Sequence, residues 1–228
     1  SNSFSFTSAS SHNVNLNGLV TSVRTDSAGS FSFWVDPRQT QGIIFAAGDT
    51  GGTNAMLQIF YDSPENINVD VRTTDGTTQT PQFAFSGGSF TTASGWNHIV
   101  LVQGGTPQLY LNSASQSLTY QTTTNQAAWF SNGGTAYTIG RLGVRGTSNA
   151  SPFDGSIDDF RYYRSALTSL DVLAIYAEGN GNEGINAVVQ EGTVTKLGSN
   201  SLRINSIGEY SITSQVMSTG SALAGVSS

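Results

Sequence analysis

The chain has 228 residues, no cysteine, 26 glycines, 11% charged residues, nine Lys and Arg against fifteen acids, and a formal net charge of −6. No disulfide or zinc–thiolate site can form, and no basic stripe exists to neutralise phosphates, so nucleic acid is excluded as a partner. No run approaches the roughly twenty apolar residues of a membrane-spanning helix.

The chain opens Ser-Asn-Ser-Phe, without a basic and apolar leader. An initiator Met trimmed ahead of a small residue is favoured over a removed signal, and for a β-rich chain of this composition that history points to part of a virion. Short alternating runs follow: Phe31/Phe33/Val35, Ile67/Val69/Val71, His98/Val100/Val102 and Leu109/Leu111. Each alternates with polar neighbours, as half-buried strands do. Turn signals punctuate them at Gly51-Gly52, Asp75-Gly76, Gly87-Gly88, Gly104-Gly105 and Asn132-Gly133-Gly134. A strand is then predicted over Tyr137–Ile139, a polar loop, and a strand over Ser156–Tyr163. The one substantial helix is expected near residues 168–178, with Thr168 as N-cap, Asp171 in its first turn and Gly179 as its stop. Leu170, Leu173, Ala174 and Ala177 share one face of that helix, which is expected to dock.

After residue 178 the character changes. Residues 179–184, GNGNEG, read as a linker, and 185–228 as a small β segment with a polar tail. GTVTKL, SLRINS and GEYSITSQV alternate like strands but are too few to bury a core alone. They therefore need a partner. One reading adds them to the same sandwich. The favoured one makes them an assembly element, joining a homo-oligomer or anchoring the chain to other structural proteins of a particle.

Several segments carry a resemblance. Ile139-Gly140, Phe153-Asp154-Gly155-Ser156-Ile157-Asp158-Asp159, Phe160-Arg161-Tyr162-Tyr163 and Ala166-Leu167-Thr168 follow one another, preceded by FSFWVDP from Phe31, GWNHIVLV from Gly95 and QLYLNS from Gln108. In this order they resemble the laminin-G-like (concanavalin A-like) jelly-roll family over about residues 1–178. The resemblance implies an all-β sandwich of two antiparallel sheets with one short helix. It places Trp34 and Trp96 on strands, in the core. The fold hosts enzymes, lectins, adhesion modules and scaffolds, so function must come from the site.

Catalysis is not expected. Glucanases of this fold carry E-x-D-x-(x)-E along one strand, and the five Glu here (Glu65, Glu178, Glu183, Glu191, Glu209) form no such array. Asp158 and Asp159 are adjacent, so on a regular strand they face opposite sides. A nucleophile–histidine pair would rest on His12 or His98, and a packed ring is expected at His98. The resemblance implies calcium, held by Asp158 first, with Asp49 and Asp154 as further candidates. Against this, Asp49 and Asp154 read as turn formers, and Asp158 as a salt-bridge partner of Arg161 or Arg164.

Sugar binding requires an exposed aromatic ring beside hydrogen-bonding side chains. Trp129, with Asn125, Gln126 and Asn132 nearby, is the first platform candidate; Tyr61-Asp62 and the loop from Arg141 to Asn149 come next. The competing role for Trp129-Phe130 is a plug at one end of the sandwich. Asn149-Ala150-Ser151 forms a glycosylation sequon. The function expected is a non-enzymatic virion surface protein (capsid decoration, fibre or tail appendage) with a lectin-like, glycan-binding domain. The alternatives are an extracellular or cell-surface microbial carbohydrate-binding or adhesion module, and a purely structural subunit.

Overall fold

The structure, a computed structural model, describes residues 3–49, 55–62, 66–74, 79–146, 151–179, 192–196 and 202–206. In chain order the strands are β1 (Phe4–Phe6), β2 (Val14–Asn15), β3 (Gly29–Pro37), β4 (Gly42–Gly48), β5 (Met56–Asp62), β6 (Asn66–Thr74) and β7 (Gln79–Ser89). Then come β8 (Asn97–Gln103), β9 (Pro107–Leu111), β10 (Ala114–Ser115), β11 (Leu118–Thr122), β12 (Ile139–Leu142) and β13 (Gly155–Tyr163). The helices are α1 (Asn17–Val23), α2 (Phe130–Gly133) and α3 (Ser169–Gly179). The strands pair antiparallel in two sheets, one ordered β1-β13-β3-β8-β9-β10 and the other β11-β7-β6-β5-β4-β12-β2. This is the expected all-β sandwich.

The core lies between the sheets, filled by the inward member of each alternating pair. Phe31, Phe33, Val35, Ile99, Leu101 and Ile157 come from the first sheet; Leu57, Ile59, Ile67, Val69, Phe83 and Phe85 come from the second. Each such side chain, fully buried, contributes about 1.5–3 kcal/mol of transfer free energy. Phe31 sits at the centre of an aromatic cluster, 4.7 Å from Phe45 and 4.9 Å from Tyr162 between ring centroids.

Two of the five register shifts among the described strands bear on the expected elements. The Gly87-Gly88 pair lies inside β7 rather than in a turn: the register slips between Asn66 and Ile67, and Gly88 takes φ +62° as the extra residue. In β13 the register slips between Asp158 and Arg161, with Asp159 at φ +48°. A regular strand would point Asp159 and Arg161 inward after Ile157. The bulge resets the alternation, so Phe160 and Tyr162 pack on the core.

The outer face of the first sheet is apolar. Val100, Val102 and Tyr110 form a second cluster with Val172 of α3 and Leu167 just before it. Farther along, Trp34 stacks 5.6 Å from Tyr176 and lies 5.0 Å from His98. The start of α3 is fixed as expected: the Thr168 hydroxyl oxygen accepts the Asp171 N–H (3.2 Å), and Asp171 Oδ2 accepts the Thr168 N–H (2.7 Å). The buried face matches the expected one only in part. Ala174 and Ala177 are buried as expected, together with Val172 and Ile175, whereas Leu170 is 75% and Leu173 50% exposed. The outward apolar residues of the sheet lie under the Val172 side, and the helix rotates to meet them.

Helix α1 was absent from the expected elements. Its seven residues bury Val20 and Val23, and Gly140 is required beside it because a Cβ there would run into the Val20 side chain. The Asn17-Gly18 start reads as a turn, which masks the spacing of Leu16, Leu19, Val20 and Val23.

The chain divides into two compact units, Ser1–Tyr176 and Ala177–Ser228. In the second, β14 (Gly192–Lys196) and β15 (Leu202–Ser206) form an antiparallel hairpin with Val194 opposite Ile204. These are the expected GTVTKL and SLRINS strands. GEYSITSQV and linker residues 180–184 lie outside the described residues.

Candidate functional site

Among the described residues no helix covers the outer face of the seven-stranded sheet. Because Leu57, Ile59 and Tyr61 of β5 point inward, Gln58, Phe60 and Asp62 point outward; on β6 the outward set is Asn68, Asp70 and Arg72. The register lines up Ala46, Gln58, Asp70 and Ala84 across four strands, with Phe60, Asn68 and Ser86 in a neighbouring row. The face is polar.

At one end of it lies a cavity of about 360 Å³, lined among others by Gln58, Phe60 and Asp62, Ile43 of β4, and Arg145 and Pro152 of the loop before β13. Backbone hydrogen bonds weld that loop to β4. Ile43 N–H donates to the Ser151 carbonyl (3.0 Å), Gly143 N–H to the Ile44 carbonyl (2.9 Å), and Phe153 N–H to the Gly143 carbonyl (2.8 Å). Gly42, at φ +157°, lets the loop pass close, since a Cβ there would stand 2.7 Å from Phe153 Cα. The cavity wall is therefore built into the sheet.

The charges sort themselves. Arg38 pairs with Asp154 (2.9 Å), Arg72 with Asp70 (2.6 Å), Arg161 with Asp159 (2.6 Å) and Arg164 with Asp26 (2.6 Å). Arg145, exposed on the cavity rim, has no ion pair among the described residues. Two acceptors on the polar face, Gln58 Oε1 and Asp70 Oδ1, are buried without a donor.

The expected platform is elsewhere. Trp129 is 0% exposed and its indole N–H donates to Tyr162 Oη (3.1 Å). It is the plug of the sandwich end, and Gly29 is needed beneath it because a Cβ would collide with the Tyr162 hydroxyl. Asn132, exposed, spends its Oδ1 on the Trp129 backbone N–H (3.0 Å) as a helix cap. Tyr61 is fully buried, its hydroxyl donating to the Phe90 carbonyl (2.9 Å). Arg141 is tied to Asn15 and to the Gly140 carbonyl (2.8 Å). Of the expected sugar-binding residues, Tyr61 lines the cavity together with its neighbour Asp62, and Arg145 of the expected Arg141–Asn149 loop joins them there; Trp129, Asn132 and Arg141 do not line it. Trp96 is also not in the core: it is 41% exposed, ahead of the first residue of β8. Trp34 belongs to the outer stack with Tyr176. Gln58, Phe60 and Asp70 are the outward members of an alternation whose inward apolar members alone carry the strand signal.

The carboxylates expected to hold calcium are not gathered either. Asp154 Oδ1 accepts Arg38 and its Oδ2 accepts the Ser8 N–H and hydroxyl; the Arg38 guanidinium holds its carboxyl below the usual range. Asp158 Oδ1 accepts the Asp159 N–H (2.8 Å), and Arg161 and Arg164 form ion pairs with Asp159 and Asp26. Asp49 adjoins residues outside the described set. Among the described residues no three His, Cys, Asp or Glu side chains converge.

His98 does contact a hydroxyl, with Nε2 2.9 Å from Ser32 Oγ. Both residues are 0% exposed. Burial, with the Arg161 charge adding to it, lowers the imidazole to about 4. The pair is a packed element of the face beneath Trp34 and Tyr176.

No curated protein matches the chain by sequence. Among solved structures, the CBM40 of the Ruminococcus gnavus IT-sialidase, bound to alpha2,3 sialyllactose, superposes with a TM-score of 0.59 at 16% identity, over 77% of this chain and 97% of that one. The leech intramolecular trans-sialidase gives 0.55 at 16% identity, over 80% of this chain and 29% of that enzyme. NanB sialidase from Streptococcus pneumoniae, as its K499G mutant, gives 0.52 at 15%, over 76% and 27%. The chain thus spans little more than a quarter of either full sialidase. Residues 8–173 match the family described as the concanavalin A-like lectin/glucanases superfamily, and with the two-sheet sandwich above, the chain belongs to that superfamily.

Proposed function

We propose that the protein is a non-enzymatic glycan-binding module that takes an acidic sugar into the cavity at one end of its seven-stranded sheet. The observation that carries this is the cavity itself, which combines a half-buried aromatic ring (Phe60), a buried amide (Gln58) and an arginine (Arg145) with no ion pair among the described residues. Phe60 offers an apolar surface to the C–H face of a sugar, and the amide offers hydrogen bonds to its hydroxyls. A guanidinium on the rim matches a carboxylate in two parallel hydrogen bonds, which favours an anionic sugar over a neutral one. The fold likeness to a CBM40 solved with sialyllactose supports the same ligand class.

Titration calorimetry with 3′-sialyllactose and lactose tests the reading. The native chain binds the acidic glycan more tightly. Arg145→Ala removes that preference, and Phe60→Ala weakens both sugars. Equal affinity of the native chain for the two sugars overturns the acidic assignment. No reducing ends are released on incubation, because no two carboxylates of the open face take acid and nucleophile positions in this reading. The setting we propose is display on a virion or, in the alternative, on a microbial cell, with the C-terminal segment joining copies of the chain or fixing it to other structural proteins. Deleting residues 182–228 then abolishes incorporation and leaves glycan binding intact.

A further inference from the structure

Gln58 and Asp70 present a puzzle of their own. Both are on the polar face, directly opposite each other across β5 and β6. Each is only 6% exposed, although half-buried strand positions favour Val, Ile or Thr. Asp70 Oδ2 is held by Arg72, at 2.8 Å from Nε and 2.6 Å from the terminal nitrogen. Its Oδ1 has no donor, and neither has Gln58 Oε1. The row neighbours are Ala46 and Ala84, which have nothing to donate. Two buried acceptors on directly paired residues, neither with a donor, carry the full desolvation cost of both groups.

A half-turn of the Gln58 amide removes the conflict. It exchanges oxygen and nitrogen, so that Nε2 donates to Asp70 Oδ1 and the carbonyl oxygen faces the cavity that Gln58 lines. Arg72 keeps Asp70 from turning away. We propose that Asp70 is a positioning residue that sets the Gln58 amide with its oxygen toward the ligand, making the cavity floor an acceptor. That floor selects a sugar carrying a hydrogen-bond donor, a hydroxyl or an acetamido N–H, at the position that reaches it. The inference rests on the glycan-binding reading and adds the chemistry of one contact to it.

The experiment is calorimetry with 3′-sialyllactose and a panel of analogues, each lacking one hydroxyl or the acetamido N–H. For the native chain one analogue binds on the order of 10- to 100-fold more weakly than the parent. Gln58→Leu loses affinity for the parent by that factor and no longer distinguishes the analogue. Asp70→Leu frees the amide and narrows the discrimination, whereas Asp70→Asn, which keeps an acceptor oxygen, restores it; a purely structural role would not yield that rescue. Circular dichroism and melting curves confirm that each variant is folded. If the native chain binds 3′-sialyllactose and treats every analogue alike, or if folded Gln58→Leu binds the parent as well as the native chain does, the floor assignment is overturned and the glycan reading stands. If the native chain binds neither this glycan nor any on an array, the glycan reading falls and takes the floor with it.

Discussion

The two outer faces of this sandwich are built by the same rule and used in opposite ways. On each sheet every second residue points away from the core. On β8 and β9 those residues are His98, Val100, Val102 and Tyr110, and α3 lies over them. On β5 and β6 they are Gln58, Phe60, Asn68, Asp70 and Arg72, and among the described residues no helix lies over them. An apolar outer face must be covered, because a contiguous exposed patch costs solubility and invites association. A polar outer face can stay open and offer hydrogen bonds. The sheet that recruited a helix serves stability, and the sheet that did not retains the cavity.

The sharpest break of that contrast is a charge on the covered side. Val172 is fully buried between α3 and the sheet. Val172→Asp places an unpaired carboxylate there and is expected to cost about 3–5 kcal/mol in chemical denaturation. An alanine at Asn68, on the open face, is expected to stay within about 0.5 kcal/mol. Equal costs at the two sites would mean that the faces are not distinct.

Acidification comes next in size. His98 titrates at about 4 in the folded protein, against about 6.5 when exposed in an unfolded chain. Between those values the unfolded state binds the extra proton, so stability falls as the pH drops from about 6.5 to about 4 and this contribution levels off below. The loss amounts to about 3 kcal/mol. Replacing His98 by Phe, which can stack between Trp34 and Tyr176, is expected to flatten that stretch of the stability–pH profile. A native profile with no slope there would show that the ring is not sealed under α3.

Much of this fold could be read from the chain alone, because alternation in FSFWV, INVDV and HIVLV is local and the I-D-D segment has a fixed place in its family. The buried side of α3 was legible only in Ala174 and Ala177. Leu170, Leu173, Ala174 and Ala177 have the spacing of a face, but which face docks depends on the sheet beneath, and that sheet presents its apolar residues to Val172. Trp129 and Trp96 exchanged expected environments for a related reason. Burial of a large ring is decided by the neighbours that fold around it, here Phe31, Phe130 and Tyr162 around Trp129. The site itself was written in the polar letters of QIFYD and NVDVR, which mean nothing until the strands pair and bring Gln58 opposite Asp70. The phase change in β13 was equally hidden, since Asp159 at positive φ is a property of the pairing with β3.

The smallest expected effect concerns the outer side of the covering helix. Leu170 and Leu173 point to solvent at 75% and 50% exposure, so the helix that hides one apolar face displays a small apolar patch of its own. Isolated exposed leucines of this kind are ordinary and contribute little to folding. The double change Leu170→Ser and Leu173→Ser should therefore move the unfolding free energy by less than about 0.5 kcal/mol per site, slightly more if Ser lowers helix propensity in the second turn. Sedimentation velocity should be unaltered. The alternative is physically specific: copies of the chain that meet on this helix would bury both leucines, each worth about 1.5–3 kcal/mol when fully covered. In that case the double variant lowers both the sedimentation coefficient and the stability, and the stability of the native chain rises with its concentration. The covered sheet would then have recruited a helix whose second side is itself covered, and the contrast between the two faces would extend to assembly: one side for joining copies, the other, with its cavity, left free for the sugar.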